Sequence, residues 1–86
     1  MSFFVYMIVS KNNDKLVSYV GYTNNIKNRI TLHNASKGAK FTKGKQWQLI
    51  YSKKYQNKVD AMKYEYKLKK NYKLRKKLKL EFLNNE

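Results

Sequence analysis

Hydrophobic and polar positions follow two different periods along the chain, and these periods predict its strands and helices. The run Phe3–Val9 is apolar or aromatic at every position, which is typical of a strand that is covered on both faces in the middle of a sheet. Residues 16–22 resume strand-forming types after the polar segment Lys11–Lys15. The two runs therefore predict an antiparallel hairpin with a turn over residues 11–15.

Helical spacing begins after this hairpin. Ile26 and Ile30 lie four residues apart, and the polar residues 23–25 that precede them offer a helix cap. A helix is therefore predicted over about 25–35. The next segment, residues 36–45, is basic and contains two glycines, which predicts an exposed loop.

The second half of the chain predicts a third strand and two further helices. The strand is predicted by apolar side chains at alternate positions, which are Trp47, Leu49 and Tyr51. A capping pattern at residues 57–60 predicts a helix that ends near Lys70. Another helix is predicted over 73–83 by an apolar stripe with four-residue spacing, formed by Leu74, Leu78 and Phe82.

The resulting order β-β-α-β-α-α predicts an α+β fold, in which a small three-stranded antiparallel sheet is flanked by helices. The chain has 86 residues and no linker or repeat, so residues 1–86 are predicted to form one domain. Its core is expected over about 3–70, with a basic C-terminal helix over about 73–83.

Charge points to a polyanionic partner. Twenty Lys and Arg against five Asp and Glu give a formal net charge of +15. The excess lies in the second half, and residues 63–79 hold nine cations and one anion, interleaved with tyrosines and leucines. Such a stretch is typical of a surface that follows nucleic-acid phosphates, although a solvated helix face or a membrane-surface helix has the same composition.

Missing residue types narrow the chemistry. The absence of cysteine and the presence of one histidine argue against zinc, and five scattered acids do not suit a two-metal site. Any metal is therefore expected on one protein carboxylate. The longest apolar run has seven residues, which is too short for a membrane span, so an intracellular, cytoplasmic protein is expected.

An ordered set of residues resembles a known family. Phe4-Val5-Tyr6, Tyr19-Val20-Gly21, Arg29, His33 and Glu65 follow one another as in the GIY-YIG nucleases, and are most similar to the small stand-alone, single-domain branch. The segment 38–42 is also similar to a loop of that branch. The resemblance covers about residues 3–70.

The resemblance implies an endonuclease that hydrolyses phosphodiester bonds with one divalent ion, magnesium or manganese. Tyr6 and Tyr19 match the two motif tyrosines, Arg29 the helix arginine and Glu65 the metal ligand. His33 matches a histidine thought to help activate the first tyrosine. These roles are physically reasonable, because attack on a phosphodiester needs a base for water, a cation for developing charge and a Lewis acid.

The predicted substrate is nucleic acid, DNA in preference to RNA, with no membrane and no small-molecule cofactor. A targeting partner protein is left open, because the chain shows no appended domain that would choose a cleavage site. The expected contacts to the nucleic-acid backbone are Lys40, Thr42, Lys43, Lys69, Lys70 and Lys73.

Two other functions remain open at this level. One is a nucleic-acid-binding module, for DNA or RNA, with a degenerate active site. The other is an interaction protein that docks through the stripe Leu74, Leu78 and Phe82. Each site residue also has an ordinary interpretation: the two tyrosines pack in strands, Glu65 pairs with Lys69 one helical turn on, and Gly21 lets the chain turn into the helix.

Overall fold

The computed structural model describes residues 2–85 of the chain. Its elements, in chain order, are the strands and helices β1 Phe3–Asn12, β2 Lys15–Thr23, α1 Ile26–Asn34, β3 Gln48–Tyr55, α2 Lys58–Lys70 and α3 Tyr72–Asn84. A single 3₁₀ turn, Lys40–Thr42, lies between α1 and β3. The predicted fold class is confirmed.

The sheet has the order β2-β1-β3, with β1 antiparallel to both neighbours. The prediction that the first strand is central is confirmed, and residues 5–10 are buried. The turn predicted over 11–15 is wrong in length, because the strands pair as far as Asn12 and Lys15. Only Asn13 and Asp14 remain in the turn, and Asn13 adopts a left-handed φ of 59° that allows this tight reversal.

Strand β3 departs from the predicted alternation. Met7 pairs with Tyr51 but Ile8 pairs with Leu49, so Ile50 is the extra residue of a β-bulge. Ile50 and Tyr51 both pack against the main core, whereas Leu49 is 37% exposed. Trp47 lies just before the strand and is buried. The predicted alternation of Trp47, Leu49 and Tyr51 on one face was wrong, because the extra residue of the bulge puts Leu49 and Tyr51 on different faces of the sheet.

Asparagine side chains begin all three helices. The Asn25 carboxamide accepts a hydrogen bond from the Asn28 backbone N–H at 3.0 Å. Asn57 does the same for Asp60 at 2.8 Å, as its sequence pattern predicts. Asn71 caps α3 directly after it ends α2, so the two helices are separated by a single residue.

The two faces of the sheet carry different cores. The larger contains Val5, Met7, Val9 and Val20 with Ala61 and Leu68 of α2. The smaller contains Tyr6, Ile8 and Trp47, against which Tyr19 and Ile30 pack. The stripe Leu74, Leu78 and Phe82 of α3 packs on the larger core. The interpretation of this stripe as a free docking face is therefore wrong, because it already covers the protein's own sheet.

Within residues 2–85, no helix has the length and apolar character needed to cross a membrane.

Candidate active site

An open cleft of about 500 Å³ brings four of the predicted site residues together, Tyr6, Tyr19, Arg29 and Glu65. They come from β1, β2, α1 and α2 respectively. Glu65 belongs to the helix that covers the opposite face of the sheet, yet its side chain lines the same cleft. The cleft therefore collects side chains from elements on both faces of the sheet.

His33 lies below this cleft and bonds to Tyr6. It is on α1 one turn after Arg29, and its side chain is 0% exposed. The Tyr6 hydroxyl and His33 Nε2 are 2.7 Å apart in a buried hydrogen bond. The His33 ring also lies 5.2 Å from the Tyr19 ring, centroid to centroid. All five predicted catalytic side chains are thus in or directly beneath one cleft.

The contacts of Thr42 indicate which ring nitrogen of a neutral His33 carries the proton. Its hydroxyl donates to the Ala39 carbonyl at 2.9 Å, which uses its only proton. The 2.9 Å contact between Thr42 Oγ1 and His33 Nδ1 must then be donated by Nδ1–H. Nε2 of a neutral His33 is left as an acceptor, so the Tyr6 O–H donates to it.

Burial favours the neutral forms of both groups. It raises the pKa of the Tyr6 phenol above its ordinary value of 10.0, although a hydrogen bond from Arg29 and the charge of Arg29 act in the opposite direction. Burial, together with the positive charge of Arg29, lowers the pKa of His33 below 6.5. Near neutral pH, Tyr6 is therefore a phenol that is hydrogen-bonded to an unprotonated imidazole.

Two glycines provide the space for this pair, a role that the sequence does not reveal. Gly21 lies directly opposite Tyr6 in the hairpin, and a Cβ there would stand 2.5 Å from the Tyr6 hydroxyl oxygen. A Cβ on Gly38 would collide with the His33 ring. Neither glycine adopts a positive φ, so close approach explains both residues and the turn-forming interpretation of Gly21 is wrong.

The loop 36–45 is built around Thr42 rather than freely exposed. Thr42 is 0% exposed, and its carbonyl accepts a hydrogen bond from the Trp47 indole N–H at 3.0 Å. The Asn34 side chain bonds the backbone N–H and carbonyl of Trp47 and so joins α1 to the start of β3. The prediction that Thr42 contacts nucleic acid is wrong, because its hydroxyl is enclosed by these partners and orients His33.

Arg29 retains unused hydrogen-bonding capacity. Its Nε is buried and has no hydrogen-bond partner among the described residues. Buried donors of this kind are normally paired, and a phosphate oxygen is a natural acceptor for a planar guanidinium. Arg29 therefore has the position and the free donor that binding of a phosphodiester requires.

Glu65 is the carboxylate of the cleft, and its side chain is 18% exposed. Its Oε1 lies 3.5 Å from Lys69 Nζ, which is the ordinary helical ion pair that the sequence predicts. No group of three or more His, Asp or Glu side chains forms a metal site in the part of the chain that the structure describes. A lone carboxylate open to a cleft suits magnesium or manganese, which keep several waters and take further ligands from substrate phosphate.

The predicted lysine contacts are all exposed but do not line the cleft itself. Lys40 and Lys43 are exposed in the loop, and Lys69, Lys70 and Lys73 are exposed on α2 and at the start of α3. Phe41, which is 52% exposed, extends this surface, since its ring lies near Tyr19 and Lys45 lies 5.4 Å from its centroid. Nothing in the sequence pattern distinguished Phe41 from a core aromatic.

Comparison with known proteins agrees with this geometry. The GIY-YIG catalytic domain matches residues 2–79. The chain is 41% identical over 69 residues to UPF0213 protein OB0043 of Oceanobacillus iheyensis, covering 79% of this chain and 80% of that protein. It is 37% identical over 83 residues to UPF0213 protein YazA of Bacillus subtilis, covering 95% and 81%.

A solved structure is also similar. The solution NMR structure of UPF0213 protein BH0048 from Bacillus halodurans is 30% identical, with a TM-score of 0.48, and the match covers 95% of this chain and 85% of that one. The family model spans more than half of the chain, and each of the two relatives is more than 30% identical over at least 79% of it. The chain belongs to the GIY-YIG family.

Proposed function

We propose that this protein is a metal-dependent endonuclease that hydrolyses phosphodiester bonds of DNA. The observation that carries the proposal is the buried 2.7 Å hydrogen bond from Tyr6 to His33, beneath a cleft that also contains Arg29 and Glu65. Membership of the GIY-YIG family supports the same reaction class. The preference for DNA rests on the family resemblance, since the cationic surface suits either nucleic acid.

Tyr6 and His33 act as a proton relay in this proposal. The Tyr6 oxygen takes a proton from the attacking water while its own proton passes to His33 Nε2. His33 is ready to accept it, because burial keeps the imidazole neutral and Thr42 holds the Nδ1–H. The relay makes a phenol with a raised pKa usable as a base, since the phenolate never has to exist alone.

Arg29 binds and orients the phosphodiester. Its guanidinium carries a permanent charge, and its geometry matches two non-bridging oxygens at once. The charge on these oxygens grows during in-line attack, so the interaction strengthens toward the transition state. Tyr19 lines the same cleft, and in this proposal its hydroxyl donates a hydrogen bond to the same phosphate.

Glu65 would hold the divalent ion, and that ion, when bound, supplies Lewis-acid stabilisation of charge on the phosphate and leaving oxygens. The residues fit one such ion because a single carboxylate faces the cleft. Lys69 pairs with Glu65 when no ion is bound, and its exposed side chain is free to turn to a phosphate when Glu65 is engaged.

Cleavage of labelled DNA tests the proposal. Purified protein is incubated with single-stranded, duplex and branched DNA and magnesium, in parallel with Tyr6→Phe, Glu65→Gln and the control Tyr51→Phe on β3. We expect about 10²-fold to 10⁴-fold loss for Tyr6→Phe, the range of general acid–base catalysis, and no comparable loss for Tyr51→Phe. Equal cleavage by wild type and Glu65→Gln would refute the proposal.

A non-catalytic nucleic-acid-binding module is the second candidate. It is favoured by exposed tyrosines of α2 that carry cations over their rings, at 5.0 Å for Lys67 on Tyr64 and 5.3 Å for Lys70 on Tyr66. This surface needs no metal. Tight, salt-sensitive binding without turnover, unaffected by Glu65→Gln, would identify this function instead.

A further inference from the structure

A second cleft of about 230 Å³ opens beside the candidate active site. It is lined by Ser18, Tyr19, Val20, Lys69 and Arg75. Tyr19 lines both clefts, and the ion pair between Glu65 and Lys69 connects them on the side of α2. The two clefts are therefore neighbours along the edge strand β2.

Arg75 repeats the unusual features of Arg29. These two are the only arginines among twenty Lys and Arg. Each lines one of the two neighbouring clefts, and each has a buried Nε without a hydrogen-bond partner within residues 2–85. Because buried donors are nearly always paired, an unused guanidinium donor at a cleft indicates that a ligand completes its hydrogen bonds.

The charges around Arg75 specify the ligand as an anion. Its guanidinium lies 6.0 Å from the centre of the Tyr72 ring, which holds the side chain in place. Burial and the nearby charge of Arg75 lower the pKa of Lys79 below 10.5, so Lys79 is a second cation close to Arg75. Lys69 adds a third cation at the cleft. A bound phosphate would relieve the repulsion among these groups.

We propose that the Arg75 cleft binds the phosphate next to the cleaved one, so that a single nucleic-acid strand passes from Arg29 across Tyr19 to Arg75. The inference rests on the proposed function, since it names a second contact with the same substrate. Arg75 is a binding residue here and takes no part in the chemical step. Its contact fixes which phosphodiester lies over Tyr6.

Binding without turnover is the first test. Anisotropy of a labelled single-stranded oligonucleotide is measured in EDTA for wild type, Arg75→Gln and Lys76→Gln, which removes one charge from an exposed position of the same helix. We expect Arg75→Gln to raise Kd about tenfold or more, as for lost charged hydrogen bonds, and Lys76→Gln to raise it about threefold at most. Equal effects of the two variants would overturn the inference.

Cleavage with a neutral linkage is the second test. Oligonucleotides carry one methylphosphonate on either side of the cleaved bond. In the wild type, the neutral linkage on one side should lower kcat/KM about tenfold, and in Arg75→Gln it should have no further effect. If the neutral linkage, on whichever side it stands, lowers kcat/KM by the same factor in Arg75→Gln as in the wild type, a direct contact between Arg75 and that phosphate is contradicted.

These readouts separate the two proposals. If no DNA is cleaved, the proposed endonuclease fails while the anisotropy comparison still decides whether Arg75 binds the strand. Arg75→Lys keeps the charge but not the planar fork, so it should recover only part of the affinity. Thermal melting of each variant identifies any loss of fold, because a misfolded variant would also lose its melting transition.

Discussion

The positions and hydrogen bonds of the side chains in the candidate site depend on their immediate neighbours. Tyr6 occupies its position only because Gly21, opposite it in the hairpin, has no Cβ. Nε2 of His33 is a proton acceptor because Thr42 Oγ1 accepts a hydrogen bond from Nδ1–H and because burial disfavours the charged imidazole. At the scale of single residues, the geometry on which the proposed chemistry depends is therefore set by Gly21 and Thr42 as well as by Tyr6 and His33.

The substitution Gly21→Ala tests this dependence. The new methyl group would stand 2.5 Å from the Tyr6 oxygen and 2.7 Å from its ring carbon Cζ, so the tyrosine must move away from His33. We expect about 1–3 kcal/mol loss of unfolding free energy, typical of overpacking, and a large loss of cleavage. Urea unfolding and cleavage kinetics measure the two effects.

The matched control is Gly44→Asn. Gly44 has a φ of 75°, which asparagine tolerates, and a Cβ there would meet no atom within 4 Å. This variant should retain the wild-type cleavage rate. If Gly21→Ala is as active as Gly44→Asn, the close approach of Tyr6 and Gly21 has no functional role.

Acid should inactivate and destabilise the protein through His33. Its pKa in the folded state lies below the 6.5 of the unfolded chain, so between these values the unfolded state binds more protons and stability falls as the pH falls. One such group contributes at most about 1.4 kcal/mol per pH unit. Cleavage should decline at a lower pH, once the pH falls through the lowered pKa of folded His33, since imidazolium cannot accept the Tyr6 proton.

Comparison with His33→Gln isolates this group from the carboxylates. Urea midpoints are measured for both proteins from about pH 7 to about pH 5, where His is the side chain that ordinarily titrates. The difference in stability between wild type and variant should shrink as the pH is lowered. A difference that stays constant with pH would mean that His33 does not titrate in this range.

At the scale of elements, the loop between α1 and β3 helps to build the candidate site, because it contacts His33. Asn34 fixes its end to the backbone of Trp47, and the Trp47 indole fixes the carbonyl of Thr42. Gly38 lets the chain pass directly against the His33 ring. The loop therefore packs around the imidazole while Lys37, Lys40 and Lys43 remain exposed.

The pair Thr42→Val and Thr42→Ser tests this support. Valine matches threonine in shape but leaves the buried Nδ1–H of His33 without an acceptor, which costs about 1–3 kcal/mol. We expect Thr42→Val to lower kcat and change the acidic limb of the pH profile, while Kd for DNA changes less than about twofold. Serine keeps the hydroxyl and should retain the wild-type pH profile, although losing a methyl group costs about 0.8 kcal/mol. Identical profiles for both variants would exclude an orienting role.

At the scale of the whole molecule, the basic surface of α2 and α3 meets the candidate cleft at Glu65. Residues 63–79, which carry nine cations and one anion, form most of α2 and α3. Lys69 connects this basic surface to Glu65 in the cleft. Long-range attraction therefore concentrates nucleic acid where the proposed chemistry occurs.

Salt dependence of binding tests this arrangement. The double variant Lys70→Gln/Lys73→Gln should lower the slope of log K against log salt by about 1.4–1.8, the value expected for two lost phosphate contacts. Lys15→Gln/Lys27→Gln removes the same charge from the start of β2 and from α1, and should leave the slope nearly unchanged. Equal slopes for the two double variants would show that binding responds to net charge alone.

Much of this architecture follows from local sequence signals. The central strand, the hairpin, the three helices and two of the asparagine caps were predicted, because periodicity and capping act over a few neighbouring residues. The ordered residues Tyr6, Tyr19, Arg29 and Glu65 gave the family without any knowledge of distances.

Tertiary structure alone decided how these residues act together. The contact between Tyr6 and His33 spans 27 positions, the role of Thr42 depends on a loop folding back on α1, and Gly21 matters only through the register that places it opposite Tyr6. The bulge at Ile50 and the Arg75 cleft are likewise products of strand pairing and helix docking. Helix and strand propensities depend on residues that are close together in the sequence. Close approach and burial arise when distant segments pack against one another, so only the folded molecule determines them.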